Sequence, residues 1–498
     1  MNIKYIYLIL IVFGFAACSD DNITDPMPPP PVLEAGTANF SNYVAIGDSQ
    51  TSGFTDGALF MAAQTNSMPN ILSNNMATVG GGEFTQPMTS DNIGGLLFAG
   101  NVITSLTNRF FFDLATFLPG ILPGTPTTDV IPGLNGQFNN MGVPGAKSFH
   151  FLAPGYGNAA GVPVGLANPY YARFASGPTA TIFGDAMAQG PSFFTFWAGS
   201  LDVTSYALAG GAGVNQAGNF DPSTYGSSDI TDPVVFGQAI GGMLAGLNSI
   251  GAQGVVANIP NPLLLPYFLV VPYNPVPLDA GTAALLNQGF APYNGGLLQM
   301  EAFGLITTAE RILRTINFVE GENAVTLIDE YLTNLSGFGL PSYRQATKID
   351  LLPLTSQFII GTTVGGNPLL INGVSVPLDD QWVLTPQEQA EVLTATATFN
   401  AIIRDATTQN GYGFVDIESL MTQLATIGVP SGDFRPTSEY VLGGAVSLDG
   451  VHTNARGNAL IANEFLKAID ATYGSNFVEA EALNDIGNYP TNYPPQLQ

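Results

Sequence analysis

The chain has 498 residues, of which only 10% are charged, and acidic residues outnumber basic ones 38 to 12, giving a formal net charge of -26. That balance excludes recognition of nucleic acid or of an anionic lipid surface by charge, because both need clustered cations. With 58 Gly, 36 Pro and 32 Phe, the composition suits a globular body with long ordered loops, since a disordered chain would lack so many aromatics.

In chain order, residues 1–17 have the layout of a secretory signal peptide: Lys4, an apolar run from Ile6 to Phe15, then Ala16 and Ala17. The run is too short to span a bilayer as a permanent helix. Cys18 is the only cysteine, so no internal disulfide can form. Its place after small residues resembles the lipobox of bacterial lipoproteins, and Ser19, Asp20 and Asp21 resemble the surface-export signal of Bacteroidetes lipoproteins. The resemblance implies diacylation at Cys18 and an outer-membrane protein, lipid-anchored and facing the cell surface; the alternative is an ordinary signal peptide with an incidental cysteine. Residues 18–36, with Pro28 to Pro31, read as a flexible tether, 37–485 as one folded domain and 486–498 as a flexible tail.

Four short apolar segments read as buried parallel strands: Tyr43 to Ile46, Phe193 to Trp197, Gly254 to Ile259 and Gly413 to Ile417. Thr385-Pro386-Gln387-Glu388 carries the signals of a helix start, with Val392, Phe399, Ile403 and Ala406 following on one face. A last helix is predicted from about Ala455 to Ala471, with Gly474 as its stop. Strands alternating with helices predict an α/β fold built on a mostly parallel sheet. Residues 54–135, 150–190 and 260–385 are far longer than ordinary connections and read as insertions over the strand ends; no composition shift marks a second domain.

Ser49 follows the first strand in Ile46-Gly47-Asp48-Ser49-Gln50, and Asp449 precedes His452 in Ser447-Leu448-Asp449-Gly450-Val451-His452. A serine hydroxyl needs a base to take its proton, and the base needs an acceptor to fix its tautomer. Only His150 and His452 can supply the base; His452 has the aspartate, whereas His150 stands among aromatics. These two blocks resemble the first and last blocks of GDSL/SGNH hydrolases, with Gln50 where the family has Leu. Asn140-Met141-Gly142-Val143-Pro144-Gly145 resembles the second block, and maps an oxyanion-hole N–H onto Gly145 beside that of Ser49.

The third block, Gly199-Ser200-Leu201-Asp202, departs from the family, because Leu201 stands where it has an asparagine donor. Ser200 could turn its hydroxyl inward instead. Removing such a donor typically costs on the order of 100-fold to 1000-fold in rate. The resemblance implies a three-layer α/β/α sandwich with a flavodoxin-like sheet, a Ser49–His452–Asp449 triad, no metal or cofactor, and an ester substrate that is a small molecule, a lipid or a glycan. Asp48 and Asp202 read as turn braces. A surface binding protein that kept the fold but lost efficient catalysis is the competing reading, and acyl transfer to a sugar would use the same residues. Gly80-Gly81-Gly82 lacks the Lys-Ser/Thr of a phosphate loop, and Asp379-Asp380 lacks the ligand spacing of a calcium loop. Tyr267-Phe268 and Asn168-Pro169-Tyr170-Tyr171 read as core aromatics that could also line an acyl or sugar site.

Overall fold

A computed structural model describes residues 30–497, so the signal segment and Cys18 lie outside the described residues. Its centre is a sheet of five parallel strands: β1 (Tyr43–Gly47), β2 (Asn140–Gly142), β3 (Phe193–Trp197), β4 (Gln253–Ala257) and β5 (Gly413–Val415). They lie in the order β5-β4-β3-β1-β2. The four expected strands are present. β4 and β5 stop two residues early, just where Asn258 Nδ2 donates to Asp416 Oδ1 at 2.9 Å. The fifth strand, Asn140-Met141-Gly142, was not legible because only one of its residues is apolar.

Every residue of β1 and β3 is buried, and since successive side chains point to opposite faces, both faces of the sheet are covered. After the short α1 (Ser49–Ser52), one cover is α2 (Met68–Ala77) packed on the last helix. The other is α3 (Leu201–Leu208) and α4 (Pro233–Ser249), each packed on α6 (Pro386–Gln409). α6 starts at the expected cap, with Thr385 N–H donating to Glu388 Oε2 at 2.6 Å. Its Val392, Phe399, Ile403 and Ala406 are buried, and Phe399 stacks on Phe236 of α4 with ring centroids 4.1 Å apart. The last helix, α7 (Ala455–Tyr473), is capped by Asn454 and ends at Gly474, whose φ of 70° is the left-handed stop. No helix among the described residues is long and apolar enough to cross a membrane.

The long third insertion is more organised than its sequence suggested. Between Val271 and Val383 a second hydrophobic core forms around α5 (Ala280–Ala302), with Leu297, Phe318, Leu327 and Leu352 buried. Arg344 is buried in it between Asp329 and Asp350, at 2.6 Å from each. This subdomain left no border in the composition because it is as apolar and as poor in charge as the main body.

Both ends of the folded part extend beyond the expected limits. Asn476 holds the tether residues by accepting from Glu34 N–H at 2.7 Å and donating to Val32 O at 2.9 Å. Residues 486–497, expected as a free tail, lie against the body: Ile486 and Tyr493 are buried, and the Tyr493 ring meets Phe60 edge-on at 5.0 Å. The reason is Arg109, whose fully buried guanidinium donates to the backbone carbonyls of Tyr493, Pro494 and Leu497 as well as Asn92. A buried cation needs acceptors on every N–H, and the C-terminal backbone supplies three of them.

Candidate active site

β1 delivers Ser49 to the carboxyl edge of the sheet at the point where the strand order reverses, between β1 and β3. This is where open α/β sheets leave a crevice for ligands. Asp48 caps the turn into α1, its Oδ1 accepting the Gln50 N–H at 3.2 Å. α1 lies directly on β2: a Cβ on Gly142 would come within 2.3 Å of Ser52 N, so the Ser49 turn can seat here only against glycine.

The loop before α7 brings Asp449 and His452. Asp449 Oδ1 accepts the backbone N–H groups of Val451 and His452, both at 2.8 Å. Its Oδ2 is 2.8 Å from His452 Nδ1 and accepts the Gly57 N–H at 3.0 Å. Burial alone would raise this carboxyl, but the charge of His452 and these hydrogen bonds outweigh it and hold the group down at about 2. The carboxylate is therefore ionised and fixes the proton on Nδ1, leaving the Nε2 lone pair to face Ser49 Oγ at 2.9 Å. Phe54 lies against the imidazole with ring centroids 4.9 Å apart. Gln50, the departure from the family's Leu, accepts from Thr453 Oγ1 at 3.2 Å and so ties α1 to the base loop.

Ser49 and His452 open into a cavity of about 390 Å³ whose wall also carries Gly145, Ser200 and Leu201. Gly145 has φ +83°, a left-handed turn that presents its N–H; among the described residues neither this N–H nor that of Ser49 meets a protein acceptor. Ser200 Oγ is buried without a hydrogen-bond partner among the described residues. Leu201 begins α3 and contributes an apolar wall. The cavity wall thus carries Ser49 Oγ, within hydrogen-bond reach of His452, together with three donor groups that have no partner among the described residues.

The remaining residues singled out in the sequence have structural work. Asp202 accepts the Ser148 N–H at 2.8 Å and its hydroxyl at 2.7 Å, and burial raises its carboxyl. Burial also pushes Asp48 up to about 7, and its Oδ2 has no partner among the described residues. His150 faces a separate cavity of about 840 Å³, where its Nδ1 accepts the Lys147 N–H at 3.0 Å and its ring stacks on Tyr156 at 4.2 Å. Burial lowers His150 to about 4, so it is a neutral packed side chain. Tyr170 lines the Ser49 cavity while Tyr171 is fully buried.

Sequence reasoning missed Asp56, Gly57 and Ser447. Asp56 Oδ1 accepts the Leu448 N–H, its own N–H donates to Ser447 Oγ at 3.1 Å, and Gly57 supports Asp449. The Asp56-Gly57 pair looked like an ordinary turn; only the partner loop, 392 residues away, gives it a role. Comparison with models of known protein families, with curated proteins and with solved structures finds no match.

Proposed function

We propose that this protein is a serine ester hydrolase of the GDSL/SGNH type, an esterase or lipase with Ser49 as nucleophile, His452 as base and Asp449 as its acceptor. The observation that carries the reading is the continuous chain Asp449 Oδ2–His452 Nδ1 at 2.8 Å and His452 Nε2–Ser49 Oγ at 2.9 Å, opening into one cavity. The five-stranded order β5-β4-β3-β1-β2 supports the three-layer, flavodoxin-like framework, since it is the doubly wound order 2-1-3-4-5.

In this mechanism Ser49 Oγ attacks the ester carbonyl carbon and its proton passes to His452 Nε2. The tetrahedral oxyanion is held by the N–H groups of Ser49 and Gly145 and by the Ser200 hydroxyl. The C–O bond to the leaving alcohol then breaks, the alcohol takes the proton from His452, and an acyl-Ser49 ester remains. Water attacks that ester, gives its proton to His452, and the acid departs as the proton returns to Ser49. The lipidation motif at Cys18 supports anchorage at the outer-membrane surface.

The competing reading, a binding protein with weakened catalysis, has one specific observation behind it, the apolar Leu201 where the family has a donor. Covalent labelling by a fluorophosphonate separates the two. Labelling of Ser49 that disappears in Ser49→Ala is the expected result; an unlabelled, inactive protein would leave the binding reading in place.

A further inference from the structure

A second cavity, of about 270 Å³, meets the first at the catalytic histidine. Both are lined by Phe54, Gly57, Leu208, Val451 and His452, but they divide the rest of the machinery between them. Of these two cavities, Ser49, Gly145 and Ser200 line only the first, and Asp449 only the second; Gly145 also borders the His150 cavity. Neither strand nor helix of the sheet closes the far side of the second cavity. Its outer walls are Phe110, Leu118 and Pro119 from the first insertion and Leu354 and Phe358 from the third.

We infer that the second cavity receives the leaving alcohol, and that the substrate is an ester of a long-chain or otherwise bulky apolar alcohol with the acyl group in the Ser49 cavity. The inference rests on the serine hydrolase reading. The carbonyl oxygen must lie by the donors of Ser49, Gly145 and Ser200, which places the acyl group in the first cavity. The alcohol oxygen must take its proton from His452 Nε2 as the C–O bond breaks, so the alcohol leaves past the imidazole, towards the side that only the second cavity lines. That side is mostly apolar, with Gln357 and Thr355 as its uncharged polar exceptions. Tyr440 spends its hydroxyl on Leu448 O at 2.6 Å, and Tyr267 spends its own on Leu208 O and Thr355 Oγ1. Asp449 is saturated by His452, Val451 and Gly57. A sugar alcohol would lose most of its water here with only Gln357 left to bond its hydroxyls, whereas an alkyl chain gains from burial.

The test is a series of butanoate esters of alcohols from methyl to octyl, assayed on the full chain. Each buried methylene should raise kcat/KM by about fourfold until the cavity is filled. Leu118 and Phe358 are 61% and 64% exposed, so Leu118→Asp and Phe358→Asp alter the wall without opening the core. Each should lower the octyl-to-methyl ratio of kcat/KM at least tenfold, while Leu285→Asp, on the exposed face of α5, leaves that ratio unchanged. Ser49-dependent hydrolysis that is indifferent to alcohol length would overturn the inference and leave the hydrolase reading standing. So would wall variants that act on the acyl chain length of methyl esters and not on the alcohol. Failure to hydrolyse any ester, with Ser49 unlabelled by fluorophosphonate, would overturn both.

Discussion

Asp56 Oδ1 accepts the backbone N–H of Leu448 at 2.9 Å, joining the segment behind Ser49 to the loop that carries His452. Asp56 has φ +51°, a conformation that Asp and Asn tolerate better than other side chains, and is almost fully buried. Burial pushes its carboxyl up to about 7. The unfolded chain releases that proton near pH 4. Between these values the folded state binds more protons than the unfolded one, so this group's contribution to stability falls as pH rises. Asp56→Asn keeps the acceptor and cannot ionise. Its Tm should match that of the native chain at pH 4 and exceed it progressively up to pH 7, then level off. A difference that is flat with pH would mean that Asp56 titrates as an ordinary carboxylate.

Ser49→Ala and His452→Ala should each reduce kcat on p-nitrophenyl esters by about 10⁴-fold to 10⁶-fold, because neither half of the proton transfer works alone. The circular dichroism spectrum should be unchanged. His150→Ala should keep most of the activity, since His150 packs in the neighbouring cavity. Reversal of the two histidine effects would move the base to His150.

Asp449→Asn tests the acceptor separately. An amide in place of the ionised carboxylate allows the wrong tautomer of His452, so kcat should fall by about 10⁴-fold with KM little changed. An unchanged circular dichroism spectrum and Tm distinguish this from misfolding, which would also lower the apparent kcat by reducing the active fraction.

Ser200 carries the question left by Leu201. With its hydroxyl buried, unpartnered among the described residues and on the cavity wall, Ser200→Ala should lower kcat by about 100-fold. Leu201→Asn should then add little, because the third donor already exists. A silent Ser200→Ala combined with a tenfold gain in Leu201→Asn would mean that only two backbone donors act in the native protein.

Gly145→Ala should cost activity through the backbone. The added Cβ meets only Asn168 Nδ2, at an unstrained 3.4 Å, so space is not the obstacle. The left-handed φ is, at about 1 to 2 kcal/mol for a residue with a Cβ. Relaxing it turns the N–H away, which kinetics would register as a lower kcat with unaltered KM.

The parts of the fold that could be read from sequence are those in which local pattern and tertiary role coincide. Phe193-Phe194-Thr195-Phe196-Trp197 is legible as a buried strand because every side chain has a covered face, and Thr385 to Glu388 as a helix start because its cap is local. Ser49, Asp449 and His452 were legible through their neighbours in the chain. Asn140–Gly142 was not, because its place in the sheet is set by the close seat of α1 on Gly142 and not by apolar side chains. Asp56 was hidden for a different reason: its meaning lies in a partner that sequence spacing cannot indicate.

The docking of the last residues on Arg109 makes the C-terminus tolerant of spelling and intolerant of shortening. The guanidinium reads only peptide oxygens at 493, 494 and 497, so side-chain changes at 494 and 497 leave its hydrogen bonds in place, whereas Tyr493 is also held by its ring against Phe60. Cutting the chain before Tyr493 removes three acceptors at once and strands a buried cation, a loss of about 3 to 5 kcal/mol of the kind seen when a buried charge loses its partner. The damage would not stay at the terminus. Arg109 directly precedes Phe110, which walls the second cavity, so a clipped end is felt some 380 residues upstream, at the wall of that cavity.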